Sequence, residues 1–265
     1  MHLSQATRIT LMVLCAGALA FLYAPIMANF VFSLTTDRFP TLPISGFSTQ
    51  WYELAFGDDL VIRALLNTAL VALIVAPLST FLGFTAAYTD YRFNFVGKKL
   101  LMVFALLPPL VPLVVSGLAM LAYLSRVGLS GNLSAIVISQ IVLVSPFAMA
   151  IIRLRLSQID DDLEFAAQNL GASNWRAFWE VIIPLTKTSV FAAFLLSFAV
   201  SFDEYAVTWF VGGLNETASV RVLSFLQSAV SPRINAIGSF TFVVSMSLIL
   251  CAQFITLRRF SKEKL

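Results

Sequence analysis

The sequence predicts an all-α polytopic membrane protein with six transmembrane helices. Of its 265 residues, 59% are hydrophobic and 12% are charged, and the mean hydropathy is +0.88. Soluble domains are typically about half apolar and a quarter charged. Six apolar segments each reach the roughly 20 residues that a helix needs to cross a bilayer. Polar segments separate them, as expected of a chain that crosses the membrane repeatedly.

The first span is predicted at residues 9–34, directly after Arg8. A cleaved signal peptide would have a shorter apolar core and a small-residue cleavage site, so we expect this span to be retained. Residues 35–60 contain Pro, Gly and Asp, which indicates a long extramembrane loop. Within this loop, Trp51 and Tyr52 stand where interfacial aromatic residues would be expected.

Five more spans follow, and the third of the six contains prolines. Pro108, Pro109 and Pro112 lack the amide donors of a regular helix and must break or kink it. They indicate either a packing kink or a broken segment that lines a pathway. Gly83 and Gly117 are expected to allow close helix approach. The five spans are predicted at 61–88, 100–124, 134–153, 187–210 and 233–257.

The positive-inside rule orients the chain. Both termini lie on one side, which also carries twelve of the 17 Lys and Arg residues, and this side is predicted to be cytoplasmic. The basic residues stand at helix ends, so the net charge of +3 does not indicate a nucleic-acid partner. The five on the opposite side are Arg38, Arg63, Arg126, Arg221 and Arg233.

The cytoplasmic segment 160–185 is predicted to form two short helices joined by a tight turn. Asp161 and Glu164 have the spacing of a capping box at the first helix, and Gly171 suits the left-handed position that ends it. Pro184 is expected to close the second helix. Such a pair needs a protein surface on which to dock. The apolar face of the second helix comprises Trp175, Phe178, Trp179 and Ile182.

Two adjacent carboxylates, Asp203 and Glu204, lie in the fifth span. An ionised carboxylate in lipid costs several kcal/mol, so such groups face a protein interior or a water-filled cavity. Adjacent helical positions point about 100° apart, so one can bind a cation while the other caps or pairs. Alternatively, both pair with Arg221 or Arg233. In the second span, Asn67 is expected to bond a neighbouring helix.

The sequence contains no set of catalytic residues. The Gly97-Lys98 pair lacks the other residues of a phosphate-binding loop, and no serine-hydrolase or zinc-protease motif occurs. His2 is the only histidine, and Cys15 and Cys251 stand isolated in apolar runs. We therefore expect no enzyme activity, no metal site and no disulfide.

The segment Glu164-x-Ala166-Ala167-x-x-x-Gly171, followed by Ile183-Pro184-Leu185, resembles the EAA loop of permease subunits in binding-protein-dependent ABC importers. The tail Ser231–Ala236 resembles that of the spermidine/putrescine branch, and within it the second permease subunit. Glu204 stands where that branch tends to have Asp. The resemblance also covers Asn67-Thr68, Leu107-Pro108-Pro109, Ser201-Phe-Asp203-Glu204 and Phe210-Val-Gly212-Gly213.

The resemblance implies a type I importer permease fold with a cytoplasmic coupling helix, in the bacterial inner membrane. Its implied partners are an ATP-binding subunit dimer that carries ATP and Mg, a second homologous permease, and an extracytoplasmic binding protein that docks on residues 35–60 and 211–232. This chain would hold no cofactor, and Glu164 would pair with a basic residue of the ATPase groove. The residues implied in ATPase coupling are Glu164, Ala166, Ala167, Gly171, Ala172 and Pro184.

Acidic and aromatic side chains in the pathway favour an organic polycation, through charge and cation–π attraction. A polyamine such as spermidine or putrescine is therefore the favoured substrate. Related permeases carry other solutes, including ferric iron, thiamine and aminoalkylphosphonate, and an ion-coupled carrier is a further alternative. An intramembrane enzyme is disfavoured. The predicted pathway residues are Asp203, Glu204, Tyr205, Trp209, Asn67 and Pro109.

Overall fold

The computed structural model describes residues 4–39, 41–160, 162–228 and 232–262, and it describes residues 6, 248, 249 and 251–262 by their backbone alone. His2, Asp161 and Ser231, which the sequence analysis used, lie outside the described residues. Helices dominate the rest. They are α1 (Gln5–Ser33), α2 (Gln50–Phe56), α3 (Asp59–Arg92), α4 (Lys98–Leu106), α5 (Leu113–Arg126), α6 (Leu133–Leu156), α7 (Asp162–Asn169), α8 (Asn174–Ala177), α9 (Ile183–Asp203), α10 (Ala206–Val211), α11 (Ala218–Ser228) and α12 (Arg233–Lys262).

Four helical stretches in the described part of the chain are long and apolar enough to cross a membrane. They confirm a multi-pass membrane protein, while the number of six spans stays a prediction. The helix α12 extends over 30 residues at the position of the predicted sixth span. The four stretches are Thr7–Ser33, Asp59–Arg92, Leu133–Leu156 and Asn174–Asp203.

The predicted third span is broken, as its prolines indicated. The helix α4 ends at Leu106, a 3-10 turn covers Pro108–Leu110, and α5 begins at Leu113. Proline has no amide hydrogen and its ring collides with the carbonyl four residues earlier, so a regular helix cannot run through this segment. The backbone therefore turns inside the span.

The chain divides into two compact units, and the first comprises Met1–Ile62 with Val222–Val243. The amide of Asn29 on α1 donates to the Ser239 hydroxyl on α12 at 2.9 Å. The loop predicted at 35–60 contains the short helix α2, which the sequence analysis missed. Its aromatic residues hold the end of α1, because the Trp51 indole donates to the Thr35 carbonyl at 2.6 Å and Tyr52 bonds Ser33.

The second unit comprises Arg63–Arg221 with Val244–Leu265. Its two apolar clusters are built around α6, which contributes fully buried residues such as Ile136 and Ile152. A Cβ atom at Gly83 on α3 would lie 2.6 Å from the Met149 amide, and one at Gly117 would collide with the Phe210 ring. The predicted close approaches at both glycines are thus confirmed.

Candidate transport site and coupling segment

The turn of the segment 160–185 is a glycine-terminated helix end. The amide of Gly171 donates to the Gln168 carbonyl at 2.9 Å, and that of Ala172 donates to the Ala167 carbonyl at 3.0 Å. This pair of bonds defines a Schellman motif, which requires a left-handed residue. Gly171 has a φ of +91°, so the predicted stop position is confirmed. The turn exposes Ala166, whereas Ala167 and Ala172 are half-buried.

The second helix of this segment continues into the fifth span, so the prediction that Pro184 ends it is wrong. The Ser173 hydroxyl caps α8, which leads through a π-helical turn at Phe178–Ile182 into α9. A π turn is wider than an α turn, which makes room for a proline without its amide donor. The helix beginning at Asn174 is therefore continuous to Asp203.

Glu164 has its partner within the chain. Its carboxylate lies 3.2 Å from the Nε of Arg92 at the end of α3, and the residue is 2% exposed. The Arg92 guanidinium also lies over the Phe165 ring, 5.1 Å from its centre. The predicted capping box involves Asp161, which lies outside the described residues, and the predicted basic partner in an ATPase groove stays a prediction. At the start of α7, the Asp160 carboxylate accepts from the Asp162 amide at 3.1 Å.

The predicted apolar face of the second helix is divided between core and surface. Phe178 packs edge-on against Tyr88 of α3, with ring centres 5.0 Å apart, and Ile182 is fully buried. Trp175 and Trp179 remain 70% and 50% exposed. The inner half of the face fastens the segment to α3, and the two tryptophans leave an apolar outer surface.

The predicted fifth span breaks directly after its first acid. The helix α9 ends at Asp203, and α10 begins at Ala206. Glu204 lies in the break and caps α10, because its carboxylate accepts from the Val207 amide at 2.7 Å and from the Thr208 amide at 3.0 Å. Glu204 is 7% exposed and therefore belongs to the protein interior.

A cavity of about 500 Å³ opens beside this break. Because Glu204 caps α10, Asp203 provides the remaining carboxylate in the wall of the cavity. In the part of the chain that the structure describes, the Asp203 side chain makes no hydrogen bond or ion pair. The other residues that line the cavity are mostly apolar: Pro109, Leu113, Leu143, Phe147, Ala199, Val200, Glu204, Tyr205 and Ala206.

The family of binding-protein-dependent transport system inner membrane components matches residues 79–263. The chain belongs to this family. The spermidine/putrescine transport system permease protein PotC of Haemophilus influenzae is 32% identical over 238 residues, which cover 89% of this chain and 92% of that protein. The putrescine transport system permease protein PotI of Escherichia coli is 27% identical, over 83% of this chain and 80% of that protein.

The fold agrees with the family. A bacterial alginate ABC transporter, solved in complex with an alginate pentasaccharide-bound periplasmic protein, matches with a TM-score of 0.75 at 16% identity, over 96% of this chain and 94% of that chain. This permease therefore has the all-α fold of ABC importer permeases and is a multi-pass protein of the bacterial inner membrane. It is a transport subunit and not an enzyme, since ATP hydrolysis belongs to a partner subunit.

The cavity unites some of the permease's predicted pathway residues and leaves others apart. Pro109, Asp203, Glu204 and Tyr205 line it. Trp209 is not part of the lining and packs edge-on against Phe210, with ring centres 5.0 Å apart.

The structure also shows partners of Asn67, Arg221 and Arg233. Asn67 donates to the Glu216 carbonyl at 3.0 Å, which fastens α3 to the loop before α11 instead of to a helix. Arg221 pairs with Glu216 at 3.2 Å and Arg233 with Asp58 at 3.0 Å. Each arginine thus has an acidic partner other than Asp203 and Glu204.

No sequence pattern indicated Gln140 as a functional residue. This residue of α6 is fully buried and hydrogen-bonds Ser201 and Thr208 on either side of the break. A single glutamine in an apolar run forms no periodic pattern. The available signal was that burying its amide is costly unless the amide has hydrogen-bond partners.

Proposed function

We propose that this permease forms, together with a second homologous permease, the membrane pathway of a polyamine importer. The observation that carries the proposal is the Asp203 carboxylate in the wall of a largely apolar cavity. A carboxylate without a protein partner attracts a cation, and desolvation by apolar neighbours strengthens that attraction.

The chemistry of the cavity wall fits a polyamine. A protonated amine can approach the Asp203 carboxylate, while the methylene groups between amines contact apolar walls such as Leu113 and Phe147. Tyr205 is half exposed beside the carboxylate and offers an aromatic face to a second cationic group. The relatives named for spermidine and putrescine transport support the same substrate class.

The cavity favours an organic cation over ferric iron. Among the described residues, no group of three or more His, Cys, Asp or Glu side chains could hold a metal ion. Fe³⁺ is a hard cation that several oxygen ligands would have to bind, whereas the Asp203 carboxylate and apolar walls suit an alkylammonium group. Thiamine and aminoalkylphosphonate remain alternatives that uptake assays separate.

The coupling segment is proposed as the contact with an ATP-binding subunit dimer, which would carry ATP and Mg. Its exposed surface includes Ala166, Leu170, Trp175 and Trp179, and Leu170 is 91% exposed. Exposed apolar surface of this kind is typical of a protein interface. The Gly171 turn presents this surface, and Ala167 and Ala172 form its half-buried base.

Movement of the segment would reach the membrane by two connections. The first is the continuous helix through Pro184 into α9. The second is the pair between Glu164 and Arg92, which joins α7 to the end of α3. In this proposal Glu164 acts in coupling as a fastening within the permease.

The proposed topology places both termini in the cytoplasm and treats residues 1–265 as one permease domain with six spans. The chain itself would hold no cofactor. A binding protein would deliver the solute to the outer loops at 35–60 and 211–232. The excess of Lys and Arg on the side of the termini supports this orientation.

Uptake of labelled spermidine into proteoliposomes tests the proposal. The importer would be purified with its partners through a tag on this chain and assayed with and without ATP. We expect ATP-dependent spermidine uptake that falls by at least about tenfold in Asp203→Asn, because a lost charge contact is worth about 1.5–3 kcal/mol. Asp203→Glu, which keeps the negative charge, is the matched control and should retain more uptake than Asp203→Asn.

Two results would contradict the proposal. Uptake by this chain without an ATP-binding subunit would favour an ion-coupled carrier. ATP-driven uptake of thiamine, an aminoalkylphosphonate or ferric iron, with none of spermidine or putrescine, would exclude the polyamine.

A further inference from the structure

We infer that Gln140 is a positioning residue that fixes the break in the fifth span and so directs Asp203 into the cavity. The inference rests on the proposed function for the role of Asp203 in transport. It assigns a task to a residue of α6 that the cavity does not include and that no sequence pattern indicates.

A chain of hydrogen bonds connects Gln140 to both half-helices. The Ser201 hydroxyl, near the end of α9, donates to the Gln140 carbonyl oxygen at 2.5 Å. The Gln140 amide in turn donates to the Thr208 hydroxyl of α10 at 2.9 Å. Thr208 then donates to the Glu204 carboxylate at 2.6 Å, so the chain ends on the residue that caps α10.

The donors and acceptors in this chain fit together in one direction. Each hydrogen bond in it is donated in the direction of Glu204, whose carboxylate also accepts two backbone amides. Gln140, Ser201 and Thr208 are at most 2% exposed, so water cannot replace a lost partner. In a buried network of this kind, removing one member leaves the next without its partner, which is costly.

Members of the network flank Asp203 on both sides in the sequence. Asp203 lies two residues after Ser201 and one before Glu204, so anchors on both sides restrict its backbone. The helix break alone would leave α9 and α10 free to turn about the residues between them. Gln140 ties both to α6, and this tie determines which way the Asp203 side chain points.

Cysteine reactivity measures that direction without reference to any substrate. Asp203→Cys would be made in a chain whose Cys15 and Cys251 are replaced by Ala, and the purified importer would react with a trimethylammonium methanethiosulfonate reagent. Adding Gln140→Leu should change the labelling rate at position 203 about tenfold, because both half-helices lose their anchor. Ser139→Ala is the matched control, since Ser139 is buried beside Gln140 and its hydroxyl has no partner among the described residues.

A double-mutant cycle for uptake then tests the link to transport. If Gln140 acts through Asp203, Gln140→Leu lowers spermidine uptake in the unmodified chain but adds little to the loss in Asp203→Asn. A general loss of structure would instead make the two losses multiply, and that result overturns the inference. Ser201→Ala removes one bond of the same network and repeats the test if Gln140→Leu does not assemble.

The two proposals fail in distinguishable ways. An unchanged labelling rate in both Gln140→Leu and Ser201→Ala overturns the positioning role, whatever the substrate. Normal spermidine uptake in Asp203→Asn overturns the transport role of that acid, and the labelling rates still decide whether Gln140 orients position 203.

Discussion

Asp203 and Glu204 are neighbours with the same charge and different surroundings. Glu204 accepts three hydrogen bonds from α10 and is buried, whereas Asp203 lines the cavity. The backbone between them leaves the helical conformation, with a ψ of 123° at Glu204, so the two carboxylates separate. At this scale, one acid stabilises the permease and the other is available for a solute.

Replacing each acid should therefore affect different quantities. Glu204→Ala leaves the first amides of α10 without their acceptor, and we expect it to lower the free energy of unfolding by about 1–3 kcal/mol. Asp203→Asn should leave stability unchanged. Thermal unfolding of the purified permease in detergent distinguishes the two, and equal melting temperatures for both variants would contradict the assigned roles.

Gly171 is restricted by its backbone and not by its neighbours. A Cβ atom there would have no contact within 4 Å, but the φ of +91° is unfavourable for side chains other than glycine. Gly171→Val should strain the turn by about 1–2 kcal/mol and abolish transport while membrane insertion persists. Gly171→Asn, which tolerates a left-handed conformation better, should retain more transport. Normal uptake by Gly171→Val would show that the turn is not required.

At the scale of elements, the coupling segment is fastened to α3 by an ion pair with a buried carboxylate and by contacts of aromatic rings. Glu164 and Phe165 meet Arg92, and Phe178 meets Tyr88. The exposed pair of Arg176 and Glu180 shares the segment but has both side chains more than 60% in solvent. Exposed pairs contribute little stability, so the buried pair is expected to matter more.

A charge exchange tests this fastening. Arg92→Glu or Glu164→Arg alone should uncouple ATP hydrolysis from spermidine uptake, because each variant leaves two like charges facing each other. The double variant restores an opposite pair and should recover part of the uptake. The measurement is the ratio of transported spermidine to hydrolysed ATP. Recovery would fail if Glu164 instead needed a basic residue of the ATP-binding subunit.

The sequence predicted the elements better than their ends. The prolines at 108, 109 and 112 indicated the break in the third span, and Gly171 indicated the turn. The second helix break gave no such signal, because the Gln140 that bonds to Thr208 comes from α6, far away in the sequence. The partner of Glu164 was missed for the same reason, since Arg92 is 72 positions away and only the fold brings them together.

At the scale of the whole molecule, the permease has exposed surfaces that belong to opposite sides of the proposed topology. Leu170 in the coupling turn is 91% exposed, and Leu214 after α10 is 100% exposed. Both are large apolar side chains, and both stand in loops proposed as docking surfaces. Because their exposure is similar, they form a matched pair for testing orientation and partners.

Leu170→Cys and Leu214→Cys should react with a membrane-impermeant maleimide from opposite sides. In a chain without its native cysteines, Leu170→Cys should label from the cytoplasm and be protected at least about tenfold when the ATP-binding subunit is bound. Leu214→Cys should label from outside, with no change on binding that subunit. Labelling of both from the same side would invert the proposed topology.

The break after Asp203 also has an electrostatic consequence. A helix ends in a partial negative charge of about half an electron at its C-terminus and begins with an equal positive charge at its N-terminus. Glu204 occupies the start of α10, so its carboxylate offsets the positive end there. The negative end of α9 lies at Asp203, so its dipole adds to the charge of that carboxylate. The helix break thus makes the electrostatic potential more negative at Asp203 than at Glu204. A cation near Asp203 is attracted by the backbone and the side chain together.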